Sequence, residues 1–161
     1  RALWEKLILD GFQAGLSWIT ILKKRDNFRA AFQEFDPDII AKWGEEDVLR
    51  LLGNAGIIRH RGKIEATITN ARVWQQIEAD KGFDKYLWDY VGGAPLQNSW
   101  ATLAEVPTQT DLSVEISKDL KRKGFKFCGP TIVYAFMQAV GMVNDHLTTC
   151  SSRAVVEKLA R

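Results

Sequence analysis

The chain has 161 residues and a net charge of +2, from 22 basic and 20 acidic side chains. Hydrophobic residues make up 46% and charged residues 26%, which is the balance of an ordinary globular domain and argues against a disordered chain. No apolar run reaches the roughly 18 residues of a membrane-spanning helix, so the sequence indicates no membrane protein of that kind. The near-even charge neither demands nor excludes nucleic acid, so the distribution of charge must decide.

The two cysteines indicate the redox compartment of the protein, and the first residues of the chain indicate whether a further segment precedes them. Cys128 and Cys150 do not form a disulfide framework, which favours a reducing cytoplasm. The sequence begins at Arg1, inside a predicted helix and without an initiator Met. We therefore expect a further segment upstream of Arg1.

Helical periodicity dominates the chain and predicts an all-α class, without alternating strands, repeats or low-complexity segments. Asp36 followed by Pro37 is an N-cap with proline at the first helical position, and Ser17 is a candidate N-cap of an earlier helix. The predicted helices, in chain order, span residues 3–15, 17–24, 26–35, 37–43, 45–52, 61–79, 83–91, 111–123, 130–140, 145–150 and 152–160.

A basic, glycine-framed turn separates two of these helices, at residues 124–129 (GFKFCG). Gly124 can adopt positive φ at the end of the first helix, and Gly129 lets a phosphate approach the backbone closely. Pro130 then opens a helix whose N-terminal N–H groups and positive dipole end face an anion, with Lys126 adding charge. The pattern predicts a helix–hairpin–helix that binds DNA without reading sequence. The alternative is an ordinary turn with solvated lysines.

His146 and Cys150 are four residues apart, which places them on one face if the segment is helical. Imidazole plus thiolate suits zinc, but a structural zinc site takes four ligands. His60 and Cys128 are the only other His and Cys in the chain, and neither belongs to a second closely spaced pair. The alternative is a half-buried His beside an inert Cys.

A carboxylate, small residues and an aromatic ring follow one another near the start of the chain. Asp10 lies among apolar residues, Gly11 and Ala14 leave space, and Trp18 offers a flat face. Such a niche can hold a flat, cationic or NH-rich ligand such as a nucleobase. The alternative is a solvent-facing Asp and a core Trp.

Together these segments resemble the DNA-3-methyladenine glycosylase I (TAG-type) family of bacterial alkylation-repair enzymes. Three stretches carry the resemblance: FQAGLSWITILKKRDNFRAAF at 12–32, NAGIIRHRGKI at 54–64, and RKGFKFCGPTIVYAFMQAVGMVNDHLTTC at 122–150. The similarity runs from about Leu9 to Cys150. It implies one α-helical domain over 1–150, with the helix–hairpin–helix at about 112–140, a zinc half-site at 146–150, and a tail at 151–161 without a clear counterpart.

The resemblance implies a monofunctional enzyme that flips 3-methyladenine out of alkylated double-stranded DNA, hydrolyses its N-glycosidic bond and releases the free base. A monomer is expected. Trp18 matches the family's stacking tryptophan, and Asp10 stands where better-known members carry a Glu that hydrogen-bonds the base. Asp10 is thus the expected catalytic residue, and Asp10 and Trp18 are the expected base-binding residues. The DNA-binding residues implied are Gly15, Gly124, Lys126, Gly129 and Thr131.

The resemblance also implies a structural zinc ion that ties the two termini of the domain together. His146 and Cys150 match the C-terminal ligand pair, and the N-terminal pair would lie upstream of Arg1. The fold expected here is therefore a helix–hairpin–helix glycosylase lacking its N-terminal zinc-ligand segment. Asp145 is the nearest candidate for the catalytic Asp of other such glycosylases, but the resembled family lacks that residue.

Two other functions compete with the glycosylase. A non-catalytic DNA-binding module would use the hairpin alone and would have no need of the niche between Asp10 and Trp18. A zinc hydrolase is disfavoured, because catalytic zinc keeps an open coordination position and a four-ligand set would be closed.

Overall fold

The computed structural model describes residues 1–159. Within them the backbone is mostly helical, with short three-residue helical turns at Gln33–Phe35, Asp89–Val91 and Leu103–Glu105. The regular elements are α1 (Ala2–Gln13), α2 (Trp18–Leu22), α3 (Arg25–Ala31), α4 (Pro37–Ile40), α5 (Glu45–Leu52), α6 (Arg61–Asp80), α7 (Phe83–Trp88), β1 (Leu96–Gln97), α8 (Asp111–Lys123), α9 (Pro130–Val140), β2 (Val143–Asn144) and α10 (Ser151–Leu159).

The all-α class is confirmed, and local capping chemistry explains why several helices begin and end where predicted. Asp36 accepts hydrogen bonds from the backbone N–H groups of Asp38 and Ile39, at 2.9 and 3.4 Å, and so caps α4. The bounds of α5, α8 and α9 agree with the prediction. Ser17 does occupy the N-cap position of α2, but its hydroxyl bonds to Thr20 Oγ1 at 2.7 Å instead of capping the helix.

Two predictions about secondary structure are wrong. β1 and β2 form a two-residue parallel pair, where no strand was expected. Strands this short have no room for the alternation by which strands are recognised in sequence. Residues 145–150 are not helical, and the segment ends in a turn in which the N–H of Cys150 donates to the carbonyl of Leu147 at 2.9 Å.

Several helix ends also differ from the prediction. The predicted helix over 26–35 stops at Ala31, because Gln33, Glu34 and Phe35 have φ of 52–53°, a left-handed conformation that an α-helix cannot contain. The predicted helix over 37–43 ends at Ile40. The predicted last helix begins one residue early, at Ser151, and its expected end at Ala160 lies outside the described residues.

The helix α1 runs through the core and positions the site. Trp4, Leu7, Ile8 and Phe12 are buried on it, and it packs against α6 and α9. At Gly11 the hairpin approaches so closely that an added Cβ would lie 3.2 Å from the carbonyl oxygen of Phe127. The residue next to Asp10 therefore contacts the DNA-binding hairpin predicted from the sequence.

The longest described helix, α6, carries polar side chains into the core. Lys63, Thr67 and Asn70 are all buried on it. Among residues 1–159, no helix combines the length and the apolar character needed to cross a membrane.

Candidate functional site

Asp10 is fully buried on α1. Its Oδ1 accepts a hydrogen bond and ion pair from Lys6, one helical turn earlier. Its Oδ2 has no hydrogen-bond partner among the described residues. Because a buried polar atom without a partner carries a desolvation penalty, this oxygen is a strong acceptor for a ligand that can donate to it.

Burial raises the pKa of Asp10 from its ordinary value of 3.8 to about 6, although the hydrogen bond and charge of Lys6 act in the opposite direction. At neutral pH the carboxyl is therefore largely ionised, yet it is held where ionisation is disfavoured. A cation or a hydrogen-bond donor that replaced water at Asp10 would relieve this penalty. Perturbed carboxyls of this kind are typical of functional sites.

Trp18 is the first residue of α2 and is partly exposed. The ammonium of Lys6 lies 4.3 Å from the centroid of its ring, within the range of a cation–π contact. Asp10 and Trp18, predicted to share a ligand, thus share a contact with one ammonium group. The alternative of a solvent-facing Asp is wrong, whereas Trp18 is partly buried and packs against the hydrophobic core.

Two cavities adjoin Trp18. One has a volume of about 320 Å³ and includes Leu9, Ile21 and Arg25 in its lining. The other has a volume of about 410 Å³ and includes Ala135 and Gln138 from α9. Lys6, Trp18 and Leu22 line both. Each cavity falls within the size range of small-molecule sites.

Residues 124–129, the segment predicted to be the hairpin, connect α8 to α9. Gly124 ends α8 with a φ of 108°, which favours glycine. At Gly129, the N-cap of α9, nothing in the described chain lies within 4 Å of the position of a Cβ. Thr131 and Ile132 lie in the first turn of α9. Their backbone N–H groups have no acceptor within the helix, because the preceding turn is absent, and are available to an anion.

Two side chains that were not predicted from the sequence hold this hairpin. Asn70 on α6 bonds both backbone groups of Lys126: its Oδ1 accepts from the N–H at 2.8 Å, and its Nδ2 donates to the carbonyl at 3.0 Å. The hydroxyl of Ser117 donates to the carbonyl of Cys128 at 2.6 Å. Asn70 shares its face of α6 with the buried polar residues Lys63 and Thr67, and buried amides are satisfied by specific partners.

Lys63 joins the hairpin to α1. Its ammonium donates to the carbonyls of Phe12 and Ala14 at 2.8 and 2.7 Å, at the C-terminal end of α1. The same ammonium lies 5.9 Å from the ring centroid of Phe127. Burial lowers the pKa of Lys63. A cation at a helix C-terminus is favourable because it neutralises orphan carbonyl groups.

The other predicted DNA-binding residues are placed where a ligand can reach them. Gly15 has a φ of 79° in the exposed loop between α1 and α2. Lys126 and Thr131 are exposed at the hairpin and at the first turn of α9. The arrangement offers backbone amides, one lysine and an exposed glycine loop to a phosphate chain.

His146 and Cys150 are brought together, although by a turn and not by a helix. Cys150 Sγ lies 3.5 Å from His146 Nδ1. Bond lengths of about 2.0–2.1 Å for Zn–N and about 2.3 Å for Zn–S place the two atoms about 3.5 Å apart in a tetrahedral site, so the pair fits zinc. Across residues 1–159, no group of three or more His, Cys, Asp or Glu side chains is arranged to hold a metal.

His60 and Cys128 have other roles. His60 caps α6, where its Nδ1 accepts the N–H of Lys63 at 3.2 Å. Cys128 is buried in the hairpin, and burial raises the pKa of its thiol to about 11. A thiol that resists ionisation is a poor metal ligand.

Asp145 is occupied by structural hydrogen bonds. Its carboxylate accepts from Asn98 at 2.7 Å, Trp100 at 2.8 Å, Tyr134 at 2.6 Å and Gln138 at 2.8 Å. Although burial acts to raise it, these donors lower the pKa of Asp145. The carboxylate ties the segment after β2 to α9 and to the β1 region, and has little capacity left for a substrate.

Comparison with known proteins gives three consistent matches. DNA-3-methyladenine glycosylase 1 of Escherichia coli (strain K12) is 53% identical over 151 residues, which cover 93% of this chain and 81% of that protein. A crystal structure of 3-methyladenine DNA glycosylase I superposes with a TM-score of 0.91 at 55% identity, covering 94% of this chain and 84% of that one. A variant of such an enzyme in complex with 3-methyladenine gives 0.92 at 39% identity, covering 95% and 83%.

The fold therefore defines the class of protein as an all-helical DNA glycosylase. The family model of methyladenine glycosylases matches residues 1–154. The chain belongs to the methyladenine glycosylase family.

Proposed function

We infer that this protein is a base-excision repair glycosylase that releases 3-methyladenine from alkylated DNA by hydrolysing the N-glycosidic bond. Family membership supports the reaction. The observation that carries the chemistry is the buried carboxylate of Asp10, with one oxygen unpartnered, beside the accessible ring of Trp18.

The chemistry required is modest because the substrate is activated. Methylation at N3 gives adenine a positive charge, so the base can leave with the bonding electron pair and needs no protonation. We propose that the nucleotide flips out, that the base stacks on Trp18, and that its exocyclic amine donates to Asp10. A carboxylate near the cationic base and the oxocarbenium-like sugar stabilises the developing charge. Water then adds to C1′ of the sugar and loses a proton to solvent.

We propose that a single copy of the chain binds double-stranded DNA through the hairpin. The first turn of α9, with Gly129 and Thr131, would take a phosphate, and Lys126 would add charge. Gly124 sets the turn, and Gly15 would approach the strand from the side of the base pocket. Contacts of this kind fix the register on the duplex without selecting sequence.

We propose that His146 and Cys150 form half of a structural zinc site, whose completion requires two further ligands from outside residues 1–159. Zinc bound in this way would tie chain segments together and would take no part in the reaction. Metal analysis of the whole protein tests the proposal. Cys150→Ala should lose the metal, whereas Cys128→Ala, the matched control, should retain it.

The experiment that tests the function measures base release from methylated and unmethylated duplexes. We expect release of 3-methyladenine from the methylated duplex alone. Asp10→Asn should reduce the rate at least tenfold, since a hydrogen bond to a charged group is worth about 1.5–3 kcal/mol. DNA binding without release would instead indicate a non-catalytic binding module, and an unchanged rate in Asp10→Asn would refute the role of Asp10.

A further inference from the structure

Lys6 already makes both of the contacts proposed for the flipped base. Its ammonium is paired with Asp10 and lies over the ring of Trp18. We propose that Lys6 is a specificity-determining residue: a tethered cation that fills the base pocket between turnovers and is displaced readily only by a base that carries a positive charge. This inference rests on the proposed function and deepens it.

The geometry supports competition for the same space. An aromatic base stacked on Trp18 would lie about 3.5 Å from the ring plane, the distance of close carbon contact. The ammonium of Lys6 lies 4.3 Å from the ring centroid and so occupies the same layer. Lys6 also lines both cavities beside Trp18, so a base entering either cavity meets it.

The charge of the base determines whether it can displace Lys6 from Asp10. Asp10 is fully buried, and an ionised carboxylate in such a place is costly without a counter-cation. A cationic 3-methyladenine replaces one cation by another, so Asp10 keeps a partner charge. A neutral adenine displaces Lys6 and supplies a hydrogen bond alone. Lys6 therefore discriminates against normal bases that flip out by chance.

The loss of charge from the base reverses this competition after the reaction. When the glycosidic bond breaks, the base keeps the bonding electron pair and loses its positive charge. The neutral product then competes poorly with the ammonium, and the return of Lys6 to Asp10 expels it. Selection of the substrate and release of the product follow from one side chain.

Lys6 has room to leave the pocket. Its side chain is 28% exposed, whereas that of Asp10 is fully buried. The nearest acidic residue in the same cavity lining, Glu5, is already paired with Arg25 at 3.1 Å and Arg29 at 2.9 Å. A displaced Lys6 would therefore extend its head into solvent, as long cationic side chains do.

The test compares Lys6→Met and Lys6→Arg with Lys42→Met, a matched change at an exposed lysine in the turn after α4. Free 3-methyladenine is the probe, titrated at pH 8 where the free base is neutral. We expect Lys6→Met to bind it at least about tenfold more tightly, as removal of a charged hydrogen-bonding competitor implies. Lys6→Arg and Lys42→Met should bind as the unmodified protein does.

Two further measurements separate competition from a general effect on the pocket. In single-turnover assays, the ratio of release rates for 3-methyladenine and an uncharged purine lesion should fall at least about tenfold in Lys6→Met. In an Asp10→Asn background, Lys6→Met should change the affinity less than twofold, because the ammonium no longer has its charged partner.

Unchanged or weaker binding of 3-methyladenine by a folded Lys6→Met would overturn the proposal, as would an unchanged release ratio. Lys6→Gln, which keeps a polar side chain of similar length, is the second variant should Lys6→Met fail to fold. If the unmodified protein releases no base, the proposed function fails. The titration of the free base still tests Lys6 in that case, so the two failures are distinguishable.

Discussion

Replacing Asp10 with Asn tests whether burial makes ionisation of this carboxyl unfavourable in the folded protein. Burial raises the pKa of Asp10 from 3.8 to about 6, so the folded chain binds this proton more tightly than the unfolded chain does. Well below pH 3.8 the carboxyl is protonated in both states and costs nothing. As the pH rises through 6, the unfolded chain ionises freely while the folded chain resists, and the free energy of unfolding falls.

A shift of about two pKa units corresponds to about 3 kcal/mol. Asn cannot ionise, so this penalty is absent in Asp10→Asn. The free energy of unfolding of Asp10→Asn relative to the unmodified chain should therefore increase by about 2.4 kcal/mol between pH 4 and pH 7, because the unfolded carboxyl is already more than half ionised at pH 4. Other titrating groups cancel in the difference, because both chains share them.

Urea unfolding of both chains at pH 4, 5, 6 and 7 measures this difference. Asp80→Asn, at an exposed carboxylate that ends α6, is the matched control and should show no such trend. The rate of base release should have the opposite dependence, rising with pH through about 6 as Asp10 ionises. A difference in unfolding free energy that stays constant with pH would refute the claim that Asp10 is desolvated.

The hairpin yields three further predictions. Asn70→Ala removes both hydrogen bonds to the backbone of Lys126 and should weaken DNA binding in fluorescence anisotropy while leaving the salt slope unchanged, because no charge is lost. Lys126→Ala should instead reduce the slope of log affinity against log salt by about 0.9, the value for one phosphate contact; an unchanged slope would contradict the assignment of the hairpin to DNA. Gly124→Ala should destabilise the fold by about 1–3 kcal/mol in thermal unfolding, because a φ of 108° is strained for alanine and its Cβ would lie 3.2 Å from Val73. Unchanged stability would show that the turn relaxes to accept alanine.

How much the sequence predicts depends on whether the signal is local. The bounds of α8 and α9 were predicted correctly. Gly124 ends α8 and Pro130 begins α9 through backbone preferences that can be recognised in the sequence. The proximity of His146 and Cys150 was predicted from helical spacing, and the two side chains do meet, although a turn brings them together. The strand pair β1–β2 joins segments that are far apart in sequence, so no local sequence pattern predicts it.

The site itself was predicted in part. Residue type and resemblance proposed Asp10 and Trp18 as site residues. Lys6 was not proposed, although lysine four residues before an aspartate is the spacing of a helical ion pair. Such pairs are usually solvated and worth little. What distinguishes this one is that Asp10 is completely buried, and burial depends on how α1 packs against α6 and α9. The role of Lys6 could therefore be recognised only in three dimensions.

The packing of α1 also explains how the proposed base pocket and the proposed DNA-binding hairpin are combined in so small a protein. Successive residues on a helix point about 100° apart, so Asp10 and Gly11 serve different sides of α1. Asp10 pairs with Lys6 at the base pocket, and Gly11 lets the hairpin approach until the carbonyl of Phe127 is 3.2 Å from where a Cβ would be. Lys63 then fixes the end of the same helix through the carbonyls of its last turn. A phosphate held by the hairpin is thereby placed at a set distance from the carboxylate that would receive the base, because one rigid helix carries both contacts.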